Sequence, residues 1–434
     1  MNKTKSFVIL FVSLLLNQTW QPFHIEDLNK NRNVIINYHA TDQIAINQDV
    51  NNVREDLSHE VIGYLPYWQY NNYPNFNFNL LTQLNYFSAE LDQYGNIINN
   101  HNWNNLYIVE YAHQRGVKVS LCATLFGQSQ LETLLSNSSY RQNAINNLLE
   151  LVVNKNADGI DIDFELVPNS QRENLVIFME ELSNTFHEHM SDPLITMATP
   201  PIDWSNAWDY NSLAQICDRL FIMGYNYFYS GSPNAGPVSP LGGYYYDLEF
   251  SINDYIDKTN GQTDKIILGL PYYGYDWPVE DNLINSETIG VGEARTFQIA
   301  SMMSQEYGNN WNNTSNSSWF TYQDNNWNQC WYDDSLSLSI KYQFAIDNQL
   351  SGIGIWALGY DNGFDELWGA LSDKFLSFLL GDVNYDNNIN VLDVIALVNI
   401  ILETNSYQLN ADINSDQLLN VIDLIELVNI IINI

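Results

Sequence analysis

The stretch Asp158-Gly159-Ile160-Asp161-Ile162-Asp163-Phe164-Glu165 alternates acidic and apolar side chains. Successive side chains of a β-strand point to opposite faces, so Asp161, Asp163 and Glu165 share one face and Ile160, Ile162 and Phe164 the other. At a rise of ~3.3 Å per residue, neighbouring carboxylates stand ~6.6 Å apart along the strand. The apolar face requires burial, which argues against an acidic edge turned to solvent. Burying that face under helices puts the carboxylates on the inside of a barrel. There they repel one another, so the cheapest state keeps one or two protons among them and they titrate as a group. Glu165, at the carboxyl end of the strand, stands where barrels carry their chemistry, and a raised apparent pKa keeps it protonated as an acid near neutral pH. Ligation of a divalent cation is the alternative, although ligands in a barrel usually come from several strands.

Outward from this strand the chain repeats one alternation. Short apolar runs recur at Val61–Pro66, Leu84–Leu91, Val117–Leu125, Gly159–Phe164, Leu194–Thr199, Arg219–Tyr225, Lys265–Leu270 and Gly352–Leu358. Amphipathic stretches lie between several of them: Tyr140–Val153, Gln171–His187, Tyr246–Lys258 and Leu336–Asp347. Strands alternating with helices predict parallel βαβ units, and eight of them predict an α/β fold, a (β/α)8 TIM barrel. The longest gap, Pro278 to about Asp334, predicts an insertion subdomain after strand 7. A last helix is expected over Phe364–Leu380.

Composition narrows the function. The chain of 434 residues carries 51 acidic and 16 basic side chains, a net charge of −35. No Lys/Arg run is present to neutralise phosphates, so nucleic acid is excluded as a partner. A neutral polymer suits this surface better than a polyanion. The 12 Trp and 28 Tyr suit a sugar cleft, though large cores use them too. Lys3 and Lys5 before an apolar run, Phe7–Leu16, read as a secretory signal over residues 1–17, too short to span a bilayer. This predicts a secreted or cell-surface protein without membrane insertion. An Asn-rich leader, 18–58, precedes the barrel domain at 59–380. Cys122, Cys217 and Cys330 make no disulfide framework.

The eight-residue stretch resembles the D-x-x-D-x-D-x-E signature of glycoside hydrolase family 18, the chitinase-like family. Met223-Gly224-Tyr225-Asn226 is similar to its M-x-Y-D segment, and Gly236–Leu241 continues as in bacterial members. Gly269–Tyr275 resembles its seventh strand and Gly352–Asp361 its eighth, with Trp356 at the family's floor tryptophan. The likeness covers roughly His59 to Leu380. It implies a retaining hydrolase of β-1,4-linked N-acetylglucosamine polymers such as chitin, with no cofactor for catalysis. This family is a substrate-assisted exception among glycosidases. The resemblance implies that Glu165 protonates the leaving oxygen and that Asp163 holds the 2-acetamido N–H. Asp161 would share a proton with Asp163, Tyr225 would hold the acetamido oxygen, and Trp356 would stack under the sugar. Met223, Asn226, Tyr64 and Tyr273 are expected along the substrate cleft; Trp68 and Trp204 are further strand-end aromatics. Two departures stand out: Ser120-Leu121-Cys122-Ala123-Thr124 replaces S-x-G-G on strand three, and Asn226 replaces Asp. Peptidoglycan and the chitobiose core of N-glycans remain alternative substrates. A sugar-binding lectin on the same barrel is the non-enzymatic alternative, and Glu165 argues against it.

At Gly381 the chain changes character. Asp382–Leu402 and Asp412–Ile432 are one unit repeated at an offset of thirty residues. Oxygen-bearing side chains fall at loop positions 1, 3, 5, 9 and 12: Asp382, Asn384, Asp386, Asn390 and Asp393, then Asp412, Asn414, Asp416, Asn420 and Asp423. This is the spacing of a Ca2+ loop, with Asn387 and Gln417 in place of the usual glycine. Each loop leads into one apolar helix, Ile395–Leu402 or Ile425–Ile432, and Ile395, Leu397, Leu402, Ile425, Leu427 and Ile432 are expected to form a shared core. Residues 381–434 resemble a dockerin, a small all-α calcium-binding module, which implies a cohesin-type scaffold as partner. A purely structural Ca2+ clip is the alternative.

Overall fold

The computed structural model describes residues 22–36, 57–376, 380–384, 388–403, 408–414, 416 and 418–433. The segment read as a secretory signal, and Asp386, Asn387 and Gln417, lie outside them. Eight parallel strands run through the chain: β1 Glu60–Pro66, β2 Gln83–Leu91, β3 Lys118–Phe126, β4 Gly159–Glu165, β5 Leu194–Thr199, β6 Arg219–Met223, β7 Ile266–Pro271 and β8 Gly352–Trp356. Each pairs with the next, and β8 returns to β1 in the register Glu60↔Gly352 to Gly63↔Ile355, which closes the barrel. A closed sheet has no free edge, so every strand is buried on both faces. That is why these strands read as near-continuous apolar runs.

Side chains cap three of the helices described here. Before β1 lies α1, Phe23–Asn31. The helix α2, Ser138–Lys155, is capped by the Asn137 carboxamide oxygen, which accepts from the N–H groups of Ser139 and Tyr140; it ends on Asn156 at φ 55°. Next comes α3, Arg172–His189. Asp247 caps α4, Leu248–Lys258, and Asp334 caps α5, Ser335–Asp347. On β4 the outward side chains pack as the alternation requires, with the Phe164 ring 5.2 Å from Phe178 of α3. The helix after β8, α6, runs over Asp365–Phe375.

The insertion begins earlier than its composition suggests. A five-stranded antiparallel sheet starts at Tyr273–Val279, directly after β7, and includes Ser317–Asp324 and Asn326–Tyr332. Tyr273, Tyr275 and Trp277 alternate along its first strand, and their apolar bulk masked the boundary.

Two compact units divide the chain; the second holds Phe375–Ile434 with residues Val53–Ser58. Its helices are α7, Val391–Glu403, and α8, Val421–Asn433, each starting immediately after its loop. Its core is Val383, Leu397, Ala411, Ile413 and Leu427, flanked by residues such as Val394, Ile401, Leu424 and Ile431. Of the six residues expected there, only Leu397 and Leu427 are buried; Ile395, Leu402, Ile425 and Ile432 are exposed. The helices are apolar on most sides, so periodicity alone could not select the buried face.

Candidate active site

The carboxyl ends of β4 and β6 bring the central groups together. Asp161, Asp163 and Glu165 all point inward and are buried. Asp161 is the deepest held: Tyr64 donates to its Oδ2 at 2.7 Å and Thr196 to its Oδ1 at 2.6 Å. Burial pushes its pKa up to about 6, and these two donors oppose the rise. Cys122, in register with Asp161 on the neighbouring strand, adds a thiol contact. The altered third strand therefore abuts the floor beneath Asp161. Tyr64 is fully buried with its hydroxyl committed to Asp161, and its ring lies 5.6 Å from that of Trp356.

Asp158, at the other end of β4, accepts from the Val119 N–H and from His113, each at 2.7 Å. It ties β4 to β3 far from the cluster.

The Asp163 charge also raises the pKa of Asp161. Asp163 and Glu165 face His24 of α1. His24 Nδ1 lies 2.7 Å from Asp163 Oδ2 and 3.2 Å from Glu165 Oε1, and its Nε2 lies 2.8 Å from the Tyr225 hydroxyl. The imidazole stacks on Trp356 with ring centroids 3.7 Å apart. Burial alone would lower the His24 pKa, but the charge of Asp163, with hydrogen bonds to Asp163 and Glu165, raises it to about 10. Glu165 is pushed up to about 7 by burial and by the Asp163 charge, against the pull of His24. The ligand atoms of His24, Asp163 and Glu165 lie within 4.8 Å of one another, a spacing a divalent cation accepts. A protonated imidazole fills that same space with N–H donors, so proton and cation are mutually exclusive there.

The other expected cleft residues gather around this point. Met223 ends β6, and Asn226 sits at φ 61°, a left-handed conformation that Asn tolerates. The Tyr273 hydroxyl donates to Asn226 Oδ1 at 2.8 Å, and its ring stacks on Phe23 at 3.7 Å. A cavity of about 530 Å3 opens beside Glu165, lined by Phe23, Met223, Tyr225, Trp204 and Trp208 among others. Trp204 is 66% exposed, an aromatic face presented to solvent at the cavity wall. The geometry provides a buried proton donor, a neighbouring carboxylate, a phenol and an aromatic floor around one small slot. Such a set can protonate a leaving group while orienting a planar polar group.

His24 and Phe23 were not found from sequence. The signals present were Pro22 before the helix and Glu26 and Asp27 in or near its first turn.

The repeated loops are a second candidate site. Asp382, Asp393, Asp412 and Asp423 are all buried. Asp393 accepts from the N–H groups of Asn384 and Asn390 at 3.1 and 2.8 Å, and Asp423 from those of Ile413 and Asn420, both at 2.9 Å. Residues 375–434 include no Lys, Arg or His. Buried carboxylates with no basic side chain in their own segment fit a bound cation. Asn390 and Asn420 turn their side-chain oxygens onto the N–H of Leu392 and Ile422 at the helix starts, both at 2.8 Å. Asn414 and Asp416 lie side by side in the second loop, linked by a 3.0 Å hydrogen bond.

Residues 60–361 match the family described as Glycosyl hydrolases family 18, and residues 380–432 match the Dockerin type I domain. The putative sporulation-specific glycosylase YdhD of Bacillus subtilis is 29% identical over 245 residues, 54% of this chain and 54% of its own. Human di-N-acetylchitobiase is 26% identical over 307 residues, 61% of this chain and 75% of its own. A second Bacillus subtilis protein, a cortical fragment-lytic enzyme, is 28% identical, covering 56% of this chain and 55% of its own. The match thus spans about half the length of the two Bacillus relatives. The crystal structure of a GH18 chitinase from Cycas revoluta in complex with (GlcNAc)3 superposes with a TM-score of 0.66 at 21% identity, covering 73% of this chain and 99% of that one.

Proposed function

The chain belongs to glycosyl hydrolase family 18, and we propose that it is a secreted retaining glycosidase that cleaves β-1,4-linked N-acetylglucosamine polymers, chitin or its oligosaccharides, through an oxazolinium intermediate. What carries the reading is the slot now filled by the His24 imidazole. A single planar group with two polar edges reaches Asp163, Tyr225 and Trp356 at once, with Glu165 beside it. A 2-acetamido group on a pyranose ring has the same demands: an N–H to be accepted, an oxygen to be held, and an apolar sugar face to be stacked.

In this scheme Glu165 gives its proton to the glycosidic oxygen as the bond from that oxygen to the anomeric carbon breaks. The substrate's acetamido oxygen, held by the Tyr225 hydroxyl, forms the new bond to that carbon. Asp163 accepts the acetamido N–H and stabilises the positive charge of the oxazolinium ring. The Glu165 carboxylate then takes a proton from the water that attacks the anomeric carbon, reopening the ring with net retention. Asp161 acts beneath Asp163 as a buffer of charge. Met223, Asn226 and Tyr273 border the acetamido side of the slot.

A second reading keeps this chemistry and changes the polymer to peptidoglycan. It is favoured by a relative named for cortical fragment lysis and by the Cys122 departure under Asp161. For residues 380–432 we propose two Ca2+ ions in the repeated loops and a cohesin-type scaffold as partner, which suits an extracellular or cell-surface enzyme.

The test is a substrate panel: chitin oligosaccharides, purified peptidoglycan and a high-mannose glycopeptide, with the anomer of the first product followed by proton NMR. The reading expects chitin oligosaccharides to be cleaved fastest, with a β-anomer first from β-linked substrate and no cleavage after de-N-acetylation. An initial α-anomer, or equal rates without the acetamido group, would overturn it.

A further inference from the structure

The slot that would receive substrate is filled by the chain's own N-terminal segment. Helix α1 lies in the mouth of the barrel with Phe23, His24, Asp27 and Leu28 buried. Its contacts come from several elements of the cleft. His24 takes Asp163, Tyr225 and the face of Trp356. Phe23 lies parallel on Tyr273 with an interplanar angle of 2°. Glu26 accepts from the hydroxyls of Ser230 and Tyr275 at 3.1 and 3.0 Å. Asp27 accepts from Tyr360, and the Tyr67 hydroxyl donates to the Asn31 carbonyl at 2.8 Å.

These are the groups that the substrate reading needs for itself. His24 Nδ1 occupies the acceptor meant for the acetamido N–H. Its Nε2 occupies the phenol meant for the acetamido oxygen, and its ring covers the aromatic face meant for the sugar. Two groups cannot share a 3.7 Å stacking distance to Trp356, so helix and sugar exclude each other sterically. From this we propose that residues 22–36 form an intramolecular plug that mimics the sugar of the cleavage site. The enzyme then turns over only when the segment has left the cleft. The proposal rests on the assignment of this slot to an N-acetylated sugar.

The sequence of the plug suits withdrawal. Helix α1 has nine residues, below the length at which an isolated helix is stable in water. It exists because the cleft holds it. Its register is specific, because Phe23 with Asp27 and His24 with Leu28 make two i, i+4 pairs on one helical face. The tether to the barrel raises its effective concentration to roughly mM, so weak intrinsic contacts suffice to compete with soluble substrate. A segment docked in ~90–99% of molecules lowers apparent substrate affinity ~10- to 100-fold. His24 as a permanent catalytic residue is the rival view. It fails on geometry, because a residue that takes both acetamido partners leaves no place for the reacting sugar.

The test uses the full chain as wild type, His24→Ala and, as a second disruption that leaves the carboxylate cluster untouched, Leu28→Asp. Amide hydrogen exchange of residues 23–31 reads docking, and initial rates on chitin oligosaccharides read inhibition. Wild type should protect the segment and turn over slowly. Both variants should lose that protection and cleave about 10-fold faster or more. Adding the tetrasaccharide of N-acetylglucosamine should release the segment in wild type. Free exchange of the segment in wild type, or equal rates in all three proteins with the segment released in the variants, would overturn the plug. Segment protection lost in both variants, with no oligosaccharide cleaved or bound by any protein, would sink the substrate assignment while favouring the plug.

Discussion

Tyr64 donates its phenolic proton to Oδ2 of Asp161 at 2.7 Å, from the fully buried side of the carboxylate cluster. The hydroxyl is committed to this carboxylate. It favours the ionised form of Asp161, whose pKa burial raises to about 6. Tyr64→Phe removes a donor to the carboxylate and should raise that pKa further. A charge buffer that holds its proton more tightly serves Asp163 less well. The expected result is a kcat reduced ~10-fold, about the cost of one hydrogen bond to a charged group, with KM within twofold. A raised KM at unchanged kcat would return Tyr64 to the cleft wall.

Glu165→Gln should abolish hydrolysis while leaving the fold intact. The amide is nearly isosteric and lacks an ionisable proton. Loss of a general acid costs ~10²- to 10⁴-fold in rate. Turnover near the wild-type rate would remove Glu165 from the reaction.

The protonation of Glu165 predicts an alkaline limb. Its pKa lies at about 7, raised first by burial and then by Asp163, and lowered by His24. The acid form is needed, so activity should be full below about pH 6 on this group's account and fall about tenfold per unit well above pH 7. Removing His24 removes the two interactions that favour the carboxylate. His24→Ala also releases α1, which covers Glu165, so part of the burial that raises this pKa is lost with the same substitution. A kcat/KM that stays level between pH 7 and 9 would remove Glu165 as the proton donor.

Why was so much of this legible in sequence, and where did legibility end? The barrel followed from eight apolar runs because a closed sheet buries both faces of every strand, leaving a periodic signal that needs no partner to be read. The carboxylate cluster followed because three acids at spacing two must share a face. The catalytic-slot plug did not follow. His24 meets Asp163 across 139 positions of sequence, and nothing local marks a lone histidine as destined for a distant pocket. The bond from Tyr64 to Asp161 escaped for the same reason, because the two lie 97 positions apart. The insertion boundary at Tyr273 was hidden because strand β7 and the first insertion strand are one aromatic-rich run. In the terminal repeat, loop spacing was plain, but helices with apolar residues all round gave no unique inner face, so Ile395 and Ile425 were misplaced.

Calcium should control the terminal unit and spare the reaction. Asp382, Asp393, Asp412 and Asp423 are buried in a stretch that holds no basic residue, and Asp386 and Asp416 complete three acids per loop. Buried like charges oppose folding. The core available to resist them is small: among the described residues it holds five buried apolar side chains, of which Leu397 and Leu427 come from the two helices. Metal binding therefore becomes folding free energy. Two Ca2+ ions would neutralise four of the six loop charges and let Asp393 and Asp423 keep their bonds to the loop N–H groups. In the barrel, by contrast, Asp161 is held by Tyr64 and Thr196, and the chemistry at Glu165 calls for a proton. Chelation of the full chain with EDTA should abolish exchange protection over α7 and α8, and added Ca2+ should restore it. Hydrolysis should stay within about twofold. Asp393→Ala or Asp423→Ala should weaken Ca2+ binding at its own loop, by ~1–3 kcal/mol for a lost buried charge-assisted contact. Protection of α7 and α8 that survives chelation would remove the calcium claim, and loss of hydrolysis would place the metal in the barrel instead.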